Sequence, residues 1–391
     1  MACVFGREVR RERRAVPVTL SKAVGFLSGG PRGGPLIQTI PAFVTGWPPL
    51  TAELLLFMTE KLLTWLRLTR QPTLKLYRGF GSPHCVVVQG HAFRQSPLAR
   101  RYERVNFWAN AWGLLRLFLV RPWAEVPVRV TVGGQTAGAR TDADGFFRVE
   151  VALTAPLPAG WHPATAELLD ARTGARLAHA TAEVHVPYET SYAIISDIDD
   201  TFLVSHSATR WQRLWVLLSR NARSRAPFAD VAAHYQWLAQ AGQATPAQPN
   251  AFFYVSSSEW NLYDFILEFA AHNKMPKGVF QLSQLKRLSQ LRESGQNKHA
   301  TKLDRIVRIF TACPSQCFVL LGDDSQHDPG IYAAVVKRYP GRVRAVYIRQ
   351  VHAGGRAAAE AALDDIRQAG VETCHFEHSR DALQHSRELQ L

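Results

Sequence analysis

The chain has 391 residues, 47% of them apolar and 20% charged, which leaves room for two or three cored domains and excludes a disordered protein. Lys and Arg outnumber Asp and Glu by 14, so polyanions are its natural partners. No nucleic-acid-binding motif accompanies the scattered arginines, so a lipid or phosphate partner is favoured over nucleic acid, and no run reaches the ~20 apolar residues that crossing a bilayer needs.

The five cysteines, Cys3, Cys85, Cys313, Cys317 and Cys374, build neither a disulfide framework nor a zinc knuckle by their spacing. That suggests a reducing compartment, and a cytoplasmic location with possible contact at the inner membrane face is expected. Residues 1–50, rich in Gly, Pro and Arg, are expected to be weakly ordered. Over 51–70, Leu54, Leu55, Met58, Leu62, Leu63 and Leu66 recur at helical spacing. This amphipathic helix either packs on a neighbouring domain or lies on a membrane surface.

From 73 to 187 the period becomes two. Val126–Val132 alternates, Gly133-Gly134 turns, and Phe146–Val151 returns; Ala166–Leu169 and Leu177–Val186 follow around an Arg172-Thr173-Gly174 turn. An antiparallel β-sandwich domain is expected. Asp142-Ala143-Asp144-Gly145 lacks the further ligands of a calcium loop and reads as a plain turn. A helical insertion at 103–121, with Phe107, Trp108, Trp112 and Phe118 between arginines, is either an inter-domain seal or an interfacial element.

Beyond Pro187, over 190–391, apolar strands alternate with helices: Tyr192–Ser196, Phe252–Val255, Gly278–Leu282, Cys317–Leu321 and Arg344–Ile348. That is an α/β pattern, a doubly wound parallel sheet. The stretch 206–250, with Trp211, Trp215 and Trp237 among arginines, is too short for a large cap. It reads either as a small helical cap over the site or as a solvated arginine face with its tryptophans in the core.

The chemistry gathers where these strands end. Ala193–Ser196 stops in Asp197-Ile198-Asp199-Asp200-Thr201, and the carboxylates of Asp197 and Asp199 project from one side of extended backbone. Such clustered acids repel unless a cation or phosphoryl group sits between them. Phe252–Val255 runs into Ser256-Ser257-Ser258, where hydroxyl and backbone N–H groups can hold phosphate oxygens. Lys302 opens a helical stretch, and Phe318–Gly322 ends in Asp323-Asp324, with Asp328 shortly after. An aspartate nucleophile, an acid/base, a hydroxyl, an ammonium and a distal acid point to a phosphatase.

This ordered set resembles the haloacid dehalogenase superfamily of aspartate-nucleophile phosphatases. Within it the chain is most similar to the actin-patch type of phosphatidate phosphatase, which is distantly lipin-like. The resemblance rests on Asp197–Thr201, on Tyr254-Val255-Ser256-Ser257-Ser258-Glu259-Trp260-Asn261-Leu262-Tyr263, on Pro276-Lys277-Gly278, and on Gly322-Asp323-Asp324-Ser325-Gln326-His327-Asp328-Pro329. Asp324 stands where that family usually has serine. Thr301 precedes the lysine where histidine is usual, so Lys298 is an alternative to Lys302.

The resemblance implies a haloacid-dehalogenase-like domain and a set of roles. Asp197 is the nucleophile, Asp199 the acid/base, and Thr201 a support for the backbone. Ser256 and Ser257 bind the substrate phosphate and Lys302 neutralises it. Mg²⁺ is held by Asp197, the Asp199 carbonyl and Asp323, with Asp328 orienting Lys302 or a water. The implied reaction is hydrolysis of phosphatidate to diacylglycerol; a phosphatase for soluble phosphomonoesters and a non-catalytic phosphatidate sensor are the alternatives.

Overall fold

The computed structural model describes residues 71–95, 120–198, 226–243, 247–283, 298–324, 327–351 and 356–391. The expected N-terminal region 1–50, the helix at 51–70 and most of the insertion at 103–121 lie outside the described residues, as do Asp199 and Thr201.

The period-two segments form a nine-stranded sheet: β1 (Thr73–Leu76), β2 (Gly79–Ser82), β3 (Cys85–Gln95), β4 (Arg121–Pro122), β5 (Pro127–Val132), β6 (Gln135–Arg140), β7 (Phe146–Ala152), β8 (Gly160–Leu169) and β9 (Arg176–Val186). Pairing is antiparallel except between β2 and β9, so the sheet is mixed. Alternate residues such as Val128, Val130 and Val132, with Val149, Val151 and Leu168, fill its core.

Gly133 and Gly134 turn as expected, at φ 55° and 76°, both in the left-handed region a tight hairpin requires. The returning strand is β6, however, and not Phe146–Val151; β7 pairs with β3 instead. Gln135–Arg140 carries small and polar side chains and is half-buried or exposed along its length, so it offers no apolar alternation to read. Asp142 caps its turn by accepting hydrogen bonds from the Asp144 and Phe146 amides at 2.9 Å. Cys313, Cys317 and Cys374 are free thiols, whereas Cys85 is disulfide-bonded.

The second sheet has six strands, all parallel: β10 (Tyr192–Asp197), β11 (Ala251–Glu259), β12 (Val279–Ser283), β13 (Cys317–Asp323), β14 (Val343–Arg349) and β15 (Glu372–Phe376). Their order is β12-β11-β10-β13-β14-β15. Both faces are covered, which is why these strands read as unbroken apolar runs. Ile194, Phe252 and Tyr347 face a core shared with α1 (Ala226–Gln240), α2 (Tyr263–His272) and α6 (Ser379–Glu388). Ile195, Phe253 and Val346 face the opposite core, with α3 (Lys298–Ala312), α4 (Asp328–Arg338) and α5 (Arg356–Gln368).

Helix α1 lies within the stretch 206–250, of which 226–243 and 247–250 are described. Val231, Tyr235 and Leu238 bury it in the α/β core, so this portion is a crossover layer and not a cap. Trp237 is exposed, with the Arg387 guanidinium 5.1 Å from its ring centroid. Trp211 and Trp215 lie outside the described residues. Among the described residues, no helix is long and apolar enough to cross a membrane.

Candidate active site

Strand order decides where a ligand can sit. From β10 the chain builds outward through β11 and β12, then returns to the other side of β10 with β13 and continues to β15. The reversal leaves a crevice beyond the carboxyl ends of β10 and β13, the usual ligand position in open α/β sheets. Those two strands end in Asp197 and Asp323, both fully buried.

Lys302, on α3, is buried and donates from Nζ to Asp197 Oδ1 at 2.6 Å. The same ammonium donates to Asp328 Oδ1 at the start of α4. The Tyr332 hydroxyl donates to the Leu321 carbonyl at 2.7 Å and ties α4 to β13. Asp197, Asp323 and Asp328 each bring a carboxylate oxygen within 4.8 Å of the others. Asp328 Oδ2 is buried and accepts no hydrogen bond among the described residues. Hard oxygen donors with spare acceptor capacity suit a divalent cation, so this group can hold a metal ion.

Electrostatics follow from burial. Removal from water pulls the Lys302 ammonium down, but the charges of Asp197 and Asp328 outweigh it and hold the lysine above its ordinary range. Burial pushes Asp328 up to about 6; Lys302 opposes that rise and the Asp323 charge reinforces it.

The serine segment of β11 lies beside Asp197. Val255 is the register partner of Asp197 across the β10–β11 pair, so Ser256 follows within β11, one residue past the end of that pairing. Ser256 is fully buried and its Oγ accepts the Ser258 amide at 2.8 Å; Ser257 is also buried. Regular pairing with β12 lapses between Val255 and Glu259, and the three serines occupy that gap.

The structure thus gathers Asp197, Asp323, Asp328 and Lys302 into one buried group, with Ser256 on the neighbouring strand β11, one residue past the register partner of Asp197. Asp199 and Thr201 lie outside the described residues, as does the side chain of Lys298. Asp324 does not join the group: its Oδ1 accepts the Val351 amide at 2.7 Å, and Oδ2 lies 3.6 Å from His375 Nε2. Arg349 was not anticipated. It stands opposite Asp323 in the β13–β14 register, is buried, donates to Ser379 Oγ and interacts electrostatically with Asp323. Its signal in the sequence was faint: the cation that ends an apolar strand next to the aspartate strand.

Residues 192–350 match the family described as "Phosphatidate phosphatase APP1, catalytic domain". Phosphatidate phosphatase APP1 of Saccharomyces cerevisiae is 27% identical over 173 residues, which is 41% of this chain and 27% of the yeast protein. Among solved structures, a carbohydrate acetylesterase from Xanthomonas citri aligns over 80% of this chain and 73% of its own, at 12% identity and a TM-score of 0.30. A β-glucuronidase from Ruminococcus gnavus aligns over 78% and 53%, at 10% identity and a TM-score of 0.26. Likeness that distant carries no functional weight. Residues 192–350 are thus similar to the phosphatidate phosphatase APP1 catalytic domain, and the chain spans 27% of the length of the yeast relative it matches.

Proposed function

We propose that the protein is a Mg²⁺-dependent lipid phosphate phosphatase of haloacid dehalogenase type, which hydrolyses phosphatidate to diacylglycerol and phosphate. The observation that carries this reading is the Lys302 ammonium between Asp197 and Asp328, next to Asp323, at the switch point of the parallel sheet.

In this reading an Asp197 carboxylate oxygen attacks phosphorus, the bond to the glycerol oxygen breaks, and an aspartyl-phosphate forms. Asp199 protonates the departing alkoxide. It then takes a proton from the water that attacks the aspartyl-phosphate, which releases phosphate and restores Asp197. Ser256 and Ser257 hold oxygens of the transferred group. Lys302 pairs with the Asp197 carboxylate and balances the phosphoryl charge, in a buried site that strengthens that attraction. Asp328 orients the lysine. Asp197, Asp323 and the Asp199 carbonyl are the expected holders of Mg²⁺, with Asp328 in reach. When bound, the ion supplies neutralisation of the phosphoryl charge. The excess of 14 positive charges favours anionic membrane surfaces where such a lipid resides.

The test is phosphate release from phosphatidate in mixed micelles, with Mg²⁺ or with chelator, for the wild type and Asp197→Asn. The reading expects Mg²⁺-dependent release that falls on the order of 10³-fold or more in the variant. Release from soluble phosphomonoesters alone would keep the phosphatase and remove the lipid. Phosphatidate binding without turnover would favour a sensor.

A further inference from the structure

The nine-stranded sheet has no part in the chemistry described so far, yet it grips the segment that follows the serines of β11. Trp260, directly after β11, stacks on Tyr77 of the β1–β2 connection, with ring centroids 4.0 Å apart and planes 18° from parallel. Both rings are buried. Tyr77 is fixed from behind: its hydroxyl and His91 Nδ1 on β3 are hydrogen-bonded at 2.9 Å, and its amide donates to the Gln89 carbonyl at 2.9 Å. The next amide, of Arg78, donates to the Tyr263 hydroxyl at 2.9 Å. Gln281 of β12 donates to Gln89 of β3 at 3.2 Å.

These contacts bear on Ser256 through the backbone. Val255 is pinned between Asp197 and Gln281, and pairing resumes only where Glu259 meets Ser283. Ser256, Ser257 and Ser258 therefore span two anchors. The upstream anchor is the sheet that carries Asp197; the downstream one ends in Trp260, whose flat face rests on Tyr77. A shift of Trp260 pulls on a three-residue span, and a span that short has little slack to absorb it.

We propose that Tyr77 is a positioning residue for the serine segment of β11, so that the nine-stranded sheet is a working part of the catalytic unit and not an appended module. This rests on the reading of Ser256 as the phosphate holder. Tyr77 touches no reacting atom; it acts through Trp260.

The experiment compares the full-length wild type with Tyr77→Ala, Tyr77→Phe and Tyr77→Leu. It reads KM and kcat on phosphatidate micelles, inhibition by inorganic phosphate, and amide hydrogen exchange over residues 252–259. Tyr77→Phe keeps the stacked face and is expected to behave as wild type within about twofold. Tyr77→Ala is expected to raise KM and the inhibition constant for phosphate by about tenfold, with kcat changed less, and to speed exchange over 252–259. If the alanine protein does not fold, Tyr77→Leu keeps apolar volume without the flat face and should show the same shifts. Unchanged KM, phosphate inhibition and exchange in a folded alanine or leucine variant would overturn the proposal. A wild type that releases no phosphate from any phosphomonoester would instead overturn the phosphatase reading, and the exchange comparison would still decide the clamp.

Discussion

Gly322 and Asp328 approach so closely that the glycine has no room for a side chain. A Cβ on Gly322 would lie 2.6 Å from Asp328 Oδ2 and 2.9 Å from Tyr332 Cε2. The requirement is one of space, since Gly322 sits on ordinary strand backbone within β13. Gly322→Ala should therefore push α4 and Asp328 away from Lys302. The expected cost is about 1–3 kcal/mol of stability, with weaker divalent-cation binding. Urea unfolding and Mg²⁺ titration by calorimetry check it; wild-type values in both would show that α4 yields freely.

Lys302 is the single cation between Asp197 and Asp328 among the described residues that bond them. Lys302→Met would remove the ammonium that two buried carboxylates share, at a cost of about 3–5 kcal/mol, and should abolish phosphate release. Adding Asp328→Asn removes one of those charges and should recover part of the stability but none of the activity. If the double variant is no more stable than Lys302→Met, charge pairing is not what the lysine contributes.

A pH effect follows from His234, whose Nε2 and Ser386 Oγ are hydrogen-bonded at 2.8 Å inside the α1–α6 layer. Burial, aided by the charge of Arg349, lowers its imidazole from 6.5 to about 3. Between those values the unfolded chain binds a proton that the folded protein refuses, so stability rises with pH. This contribution is complete above about 6.5 and falls away as the pH drops toward about 3. Urea midpoints at pH 7 and pH 4.5 should differ less in His234→Gln than in the wild type. An identical difference would remove His234 as a cause.

The seam between the sheets also carries an ion pair, Lys75 Nζ to Asp264 Oδ2 at 2.6 Å, with side chains 26% and 61% exposed. Solvent screening limits such a pair to under about 1 kcal/mol. Asp264→Asn should thus change stability little, and high salt should erase the difference. Tyr77→Ala should cost more, because it removes a fully buried ring and a stacked pair worth about 0.5–1.5 kcal/mol beyond its area. A larger loss from Asp264→Asn would mean that charge, and not aromatic packing, joins the sheets.

Five of the six parallel strands were legible because both their faces are buried, which leaves an apolar run bounded by polar residues. The sixth, Glu372–Phe376, is an edge strand with a half-buried interior and carries no such run. β1 to β3 escaped for a related reason. Gly79–Ser82 holds two glycines, and Cys85–Gln95 mixes Gln89 and His91 into a buried strand, where they serve the seam with Gln281 and Tyr77.

Asp197, Ser256, Lys302, Asp323 and Asp328 could be named from the chain because each follows or precedes a recognisable strand or helix, and that relation is local. The same locality hid Arg349, whose place opposite Asp323 is set by strand order. It also hid the place of Asp324, whose carboxylate accepts the Val351 amide.

From its own order, then, the chain determined which residue types stand at the ends of which strands, since side-chain periodicity and turn chemistry act over a few neighbours. Only the folded packing decided that one ammonium bridges two acids 131 residues apart in number, Asp197 and Asp328, and that Arg78 meets Tyr263 across 185 positions. Such meetings depend on sheet register and on the burial of whole layers, which no local pattern encodes.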